Sequence, residues 1–261
     1  MGEMLLESRD EKGVVTLTLN RPEVHNAFDD ALIARLAGTL QHLGADETVR
    51  AVVLAAAGAS FCAGADLNWI RRTADFRVEQ NLEDARALAA MLRRLDNLPK
   101  PTLALVHGAA LGGGVGLVAA CDIAVAGEGA VFGLSEVKLG LAPAVIAPYL
   151  VRAVGARAAR RLVLTAERFD AAEALRIGLV HEVVPAAELA AARDRLVKAL
   201  AEGGPRAQAA AKATIAEVAH RPIDDKLTDE TAEVIAELRA SPEGREGVAA
   251  FLGKRPPSWR R

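Results

Sequence analysis

Apolar residues along the chain switch between two periods. Leu5-Leu6-Glu7-Ser8 and Val14-Val15-Thr16-Leu17-Thr18-Leu19 are strand-like, and Asp10-Glu11-Lys12-Gly13 between them is a hairpin signal. Leu32, Ile33, Leu36 and Leu40 then recur at helical spacing, with Asn26 or Asp29 available as the N-cap of a helix reaching about Leu40. The unbroken apolar run 51–55 has the pattern of a strand buried on both faces. A loop holding Gly58 and Gly64 follows, then a short helix over 67–71 and a longer one over 81–98, stopped by Pro99. Residues 103–106 read as the next strand, ahead of a glycine run, a helix to about Ala120 and a strand over 122–126.

After Pro143 the pattern is helical to the end, broken at Gly155, Gly178, Gly203-Gly204-Pro205, Pro222 and Pro242, with 180–184 as the one strand-like exception. The expectation is an α/β core over 1–200 and a helical C-terminal region over 201–261. That region carries apolar positions (Ile215, Val218; Val234, Ile235, Leu238; Val248, Phe251, Leu252) that must pack on the core or on a neighbouring subunit.

Composition narrows the function. With a formal net charge of −2 and 3% aromatic residues, the chain has neither the basic field nor the stacking surface of a nucleic-acid binder. Two cysteines, Cys62 and Cys121, are too few for a disulfide framework, lack metal-ligand spacing and read as reduced thiols in a cytoplasmic protein. MGEMLLESRDEKG has no apolar signal core, and charges interrupt the apolar stretches before they reach membrane-spanning length.

Two loops carry the chemistry. LGGGVGL (111–117) lies between a strand and a helix, but the third glycine of a dinucleotide-binding turn would fall on Leu117, and no Lys-Ser/Thr pair follows for a phosphate loop. Glycines at a helix start leave the first N–H groups free to donate and let a ligand approach the backbone. AGASFCAGADL (57–67) is a second small-residue loop after a buried strand. Two such loops can aim two backbone N–H groups at one point, the recipe for an oxyanion hole; small residues are needed there so that the ligand can approach.

In this order and spacing, LNRPEVHNAF (19–28), FCAGADL (61–67), HGAALGGGVGLVAACDIAVA (107–126), FGLSEVKLGLAP (132–143), LTAERFDAAEALRIGLVHEVV (164–184) and FLGKRPPSW (251–259) resemble the crotonase (enoyl-CoA hydratase/isomerase) superfamily. Within it, ADLNWIRR, LGGGVGL and LSEVKLGLAPAVI are most similar to bacterial methylglutaconyl-CoA and isohexenylglutaconyl-CoA hydratase-like proteins. The resemblance implies a spiral of ββα units, a helical C-terminal trimerisation region, and assembly as a trimer or dimer of trimers. It implies an acyl-CoA thioester as ligand, with no metal and no cofactor beyond the coenzyme A of the substrate. It assigns the N–H groups of Ala65 and Gly113 to the oxyanion hole, beside Gly112. It sets Ala63, Ala65, Asp66 and Leu67 along the CoA, Arg21 and Val24 at its border, and Phe251 and Lys254 where the tail of a relative reaches it.

Hydratases of the family use two glutamates; by position the second is Glu136, while the first is replaced by Gly116. Enclosure by Leu134, Val137 and Leu139 would raise the pKa of Glu136. The expected activity is hydration of an enoyl-CoA; the alternatives are a Δ3-Δ2-enoyl-CoA isomerase, for which one base suffices, and a noncatalytic acyl-CoA-binding or RNA-associated protein. Asp66 reads as the cap of the helix after it, Cys62 as a buried filler, His107 as a packed, hydrogen-bonded histidine and Asp122 as structural. Asn68, Arg71 or Arg72 could meet a carboxylate at the far end of a glutaconyl group. Ala144-Val145-Ile146-Ala147-Pro148 stands where many hydratases carry a glycine-rich loop, so the acyl pocket should differ there.

Overall fold

The computed structural model describes residues 3–260. The predicted hairpin is present as β1 (Leu5–Arg9) and β2 (Val14–Leu19), paired antiparallel. Of the two possible caps for α1 (Asp30–Ala45), Asp29 is the one used: its carboxylate accepts the N–H of Leu32. Asn26 is instead fully buried and donates to the carbonyls of Ala57 and Ser60. The chain continues through β3 (Ala51–Ala56), α2 (Leu67–Thr73), α3 (Val78–Asp96), β4 (Thr102–Val106), β5 (Ala109–Leu111), α4 (Gly113–Ala120), β6 (Ile123–Gly127) and β7 (Val131–Gly133). It ends with α5 (Ala147–Thr165), β8 (Arg168–Asp170), α6 (Ala171–Arg176), β9 (Glu182–Val184), α7 (Leu189–Glu202), α8 (Pro205–Val218), α9 (Asp225–Ala240) and α10 (Pro242–Leu252).

Six strands form one sheet in the order β1-β2-β3-β4-β6-β9, parallel apart from β1. Strand alternation sends Val52, Leu54, Ala104, Val106, Ala124 and Ala126 into the main core with α1, α3, α4 and α5. Ala51, Val53, Leu103 and Val125 face the other way, where Ala192 and Val197 of α7 cover them. Double coverage is why these strands read as unbroken apolar runs.

A smaller sheet runs β5-β7-β8, with the rings of Phe132 and Phe169 stacked 5.5 Å apart. It corrects the expectation that 180–184 is the one strand after Pro143. β8 pairs antiparallel with β7 over three residues, too short a stretch to show any period of its own. The break expected at Gly155 is a kink inside α5, at φ 73.

The C-terminal helices are tied to the core through Arg50, which donates to Gly203 O at 2.8 Å and Trp259 O at 2.9 Å. Their apolar positions are not all covered within the chain: Ile215, Phe251 and Leu252 are 68%, 83% and 74% exposed. No helix among the described residues is long and apolar enough to cross a membrane.

Candidate active site

Short parallel bridges bring the two glycine loops together. Cys62 N–H donates to Ala109 O and Cys62 O accepts from Leu111 N–H, at 3.0 and 2.8 Å. A Cβ on Gly64 would lie 3.0 Å from Leu111 O, so the loops touch. One step along, Phe28 pairs with the segment around Ala65: its N–H donates to Gly64 O and its carbonyl accepts from Asp66 N–H, both at 2.7 Å. In a parallel bridge the central residue turns its own N–H away from the partner. Ala65 is exposed, and its N–H has no acceptor among the described residues. The N–H of Gly113, half-buried at the start of α4, likewise has no acceptor among the described residues, because first-turn N–H groups have no intrahelical acceptor.

Each glycine of LGGGVGL answers to a different neighbour. Gly112 has φ 49, and a Cβ on it would lie 2.8 Å from Glu136 Oε1. At Gly113 a Cβ would meet the Phe28 ring at 2.8 Å, at Gly114 the Cys62 carbonyl oxygen at 2.5 Å, and at Gly116 Ile146 Cγ2 at 2.5 Å. The expectation that small residues serve ligand approach is therefore incomplete. Internal packing also disfavours side chains at Gly113, Gly114 and Gly116.

Glu136 opens the 3₁₀ turn Glu136–Leu139 just after β7. Its Oε2 is buried without a hydrogen-bond partner. Burial pushes its pKa up, only partly opposed by the backbone N–H of the same residue. Of the residues expected to enclose it, Leu134 is 1% exposed and Val137 half-buried, whereas Leu139 is 65% exposed. A half-buried carboxylate with a raised pKa therefore stands beside Gly112, next to the free N–H of Gly113. Ile146, at the N-cap of α5 and 3% exposed, fills the space over Gly116.

Arg21 and Asp66 form the support beneath. Arg21 donates to Ala27 O at 2.6 Å and pairs with Asp66 and Asp29 at 2.8 and 3.0 Å. Asp66 caps α2 as expected, accepting the N–H groups of Asn68 and Trp69. Burial works against its carboxylate, but those N–H groups and Arg21 outweigh it and hold the pKa below the usual range. Ala63 and Val24 are half-buried, and Leu67 is 69% exposed, directly after the capped turn. Phe251 and Lys254 are exposed on the helical tail, where α10 packs on α8 and α9.

Cys62 is fully buried and its thiol is pushed up to about 12, which makes it a neutral filler. His107 Nε2 donates to Gly58 O at 2.9 Å. Asp122 accepts from Thr102 and pairs with Lys212, each at 2.8 Å, so it is structural. Arg71 donates to Asn68 Oδ1 at 3.1 Å, and Arg72 pairs with Asp30 on the surface. Phe28 is a site-shaping residue that sequence reasoning passed over, and Ile146, expected only as part of a bulkier segment beside the acyl pocket, is the side chain that lies over Gly116. Both are buried apolar side chains with no chemical signature to separate them from ordinary core.

Residues 9–261 match the family model described as enoyl-CoA hydratase/isomerase. The 2,3-dehydroadipyl-CoA hydratase of Escherichia coli is 35% identical over 257 residues, 98% of each chain. The 1,2-epoxyphenylacetyl-CoA isomerase of the same organism is 36% identical over 263 residues, 99% of each. The crystal structure of an enoyl-CoA hydratase from Shewanella pealeana matches with a TM-score of 0.95 at 46% identity, over 98% of this chain and 96% of that one. The chain belongs to the enoyl-CoA hydratase/isomerase family of enzymes, with its crotonase fold.

Proposed function

We propose that the chain is an enoyl-CoA hydratase in which Glu136 is the single acid/base and the N–H groups of Ala65 and Gly113 form the oxyanion hole. The supporting observation is one juxtaposition: a carboxylate with a buried, unpartnered oxygen stands beside Gly112, where two touching loops each present an N–H donor, on Ala65 and Gly113, without an acceptor among the described residues. In this reading the thioester oxygen of a 2-enoyl-CoA accepts both N–H groups. Water attacks C3 as Glu136 takes one of its protons; the π electrons of C2=C3 move onto the thioester oxygen as an enolate. The enolate collapses and Glu136 returns a proton to C2, so water is added and the carboxylate regenerated. Each N–H donor accounts for about 2.7–4 kcal/mol of the barrier.

Ala63, the backbone of Ala65 and Asp66, and Leu67 line the path of the CoA, with Arg21 and Val24 at its border. Phe251 and Lys254 reach a CoA only across an interface, in keeping with their exposure, and the uncovered apolar face of the tail is what a second copy covers in a trimer or hexamer. A branched or glutaconyl acyl group, a cytoplasmic location and independence of any added cofactor complete the reading.

A second reading is favoured by Ile146. With Ile146 filling the space over Gly116, a 3-enoyl-CoA isomerase needs only Glu136 to take a proton from C2 and return it to C4. Incubation with 2-enoyl-, 3-enoyl- and 3-methylglutaconyl-CoA, with products weighed by mass spectrometry, separates the two. A product one water heavier supports the hydratase. A shifted double bond at unchanged mass, with no adduct, overturns it in favour of the isomerase.

A further inference from the structure

Phe28 bears on both donor loops at once. Its backbone holds Gly64 O and Asp66 N–H at 2.7 Å each, gripping the residues on either side of Ala65. Its ring carbons Cε2 and Cδ2 lie 2.8 and 2.9 Å from where a Cβ on Gly113 would sit. The residue is 2% exposed and therefore has little room to shift. Its chain segment is anchored in turn: Arg21 holds Ala27 O and Asp29, and buried Asn26 accepts the N–H of Arg21 while donating to Ala57 O and Ser60 O.

The two N–H groups arise on separate loops, after β3 and after β5; the Cys62 bridge joins the loops directly, and Phe28 touches the donor-bearing residues of both. We infer that Phe28 is the positioning residue that sets the spacing of the oxyanion-hole donors, its backbone fixing Ala65 and its ring edge fixing the first turn of α4 at Gly113. This rests on the oxyanion reading given above. An oxyanion hole works because its donors are fixed before charge develops, and a misplacement of about 1 Å can cost about 10²-fold in rate. Phe28 acts through Ala65 and Gly113. A narrower side chain there weakens stabilisation of the transition state while leaving ground-state binding of the CoA in place.

The test is Phe28→Leu, which keeps the backbone bonds and removes the ring edge, with Phe28→Met as the second variant should Phe28→Leu not fold. In the otherwise unaltered enzyme, kcat should fall roughly 10- to 100-fold with KM nearly constant. In a Glu136→Gln background, which keeps bound substrate unreacted, isotope-edited infrared spectroscopy reads the thioester carbonyl directly. The stretch should shift to lower frequency on binding when Phe28 is present, and by clearly less in Phe28→Leu. An undiminished shift, or a fall in activity explained wholly by loss of folded protein, overturns the role of Phe28. Absence of any shift with Phe28 in place overturns the oxyanion hole itself, so the two failures are distinguishable.

Discussion

The side chain of Ile146 occupies the space that a side chain on Gly116 would need: a Cβ there would lie 2.5 Å from Ile146 Cγ2 and 3.0 Å from its Cβ. Gly116→Ala gains about 1 kcal/mol in helix propensity but incurs about 1–3 kcal/mol of overpacking. Ile146 is β-branched and stiff at χ1, so packing prevails and the substitution should destabilise by about 1 kcal/mol. Ile146→Ala removes the obstacle, and Gly116→Ala in that background should be neutral or stabilising. Urea unfolding of the four proteins checks this; strictly additive effects would show that the two residues do not share space.

Glu136→Gln should make the protein more stable at neutral pH. Burial raises the folded-state pKa of Glu136 above its unfolded value, about 4.3. Between the two values the folded state holds the extra proton, so the favourable contribution, full below the unfolded pKa, is lost as pH rises through the folded pKa. The glutamine isostere carries no such loss. The urea midpoint of Glu136→Gln should therefore exceed that of the parent at pH 7 and converge with it in acid. Equal midpoints at both would contradict the buried-carboxylate description.

Arg21→Ala leaves Asp29 and Asp66, with side chains 16% and 4% exposed, facing each other without their cation. Breaking such a pair typically costs about 3–5 kcal/mol. Asp66 has a lowered pKa, so its stabilising contribution is present above the unfolded value near 3.9 and is lost as pH falls through the folded value. The deficit of Arg21→Ala should accordingly be widest near neutrality and narrow in acid, as denaturant midpoints across pH will show. A pH-independent deficit would mean that Arg21 acts by packing alone.

The exposed apolar residues Ile215, Phe251 and Leu252 should be covered by a second copy. Sedimentation equilibrium should give a mass that is a multiple of 27.4 kDa, and Phe251→Asp with Leu252→Asp should lower it. A single-chain mass at micromolar concentration would contradict this.

Much of this layout was legible in the chain. Long periodic segments such as Leu32 to Leu40, and unbroken runs such as 51–55, declare themselves because burial is repeated at one spacing. β5, β7 and β8, three residues each, do not, since pairing with distant partners rather than local pattern makes them strands. At the site, the order of the motifs pointed to Ala65, Gly113 and Glu136, and Asp66 announced its cap. Sequence offered ligand approach as the reason for the glycines and did not show the packing that also requires them. Contacts of Gly113 with Phe28 and Gly116 with Ile146 join segments far apart in the chain, and an apolar residue bears no mark of which glycine it will meet.

Turnover of Glu136→Gln on an enoyl-CoA, with acyl-CoA binding measured in parallel, bears most directly on the single-acid site. Gly116 brings no carboxylate to its position, and Ile146 lies over it. Turnover should fall by roughly 10²–10⁴ while the acyl-CoA still binds with nearly parental affinity. A rate equal to the parent's would remove Glu136 from the chemistry and with it the single-acid mechanism.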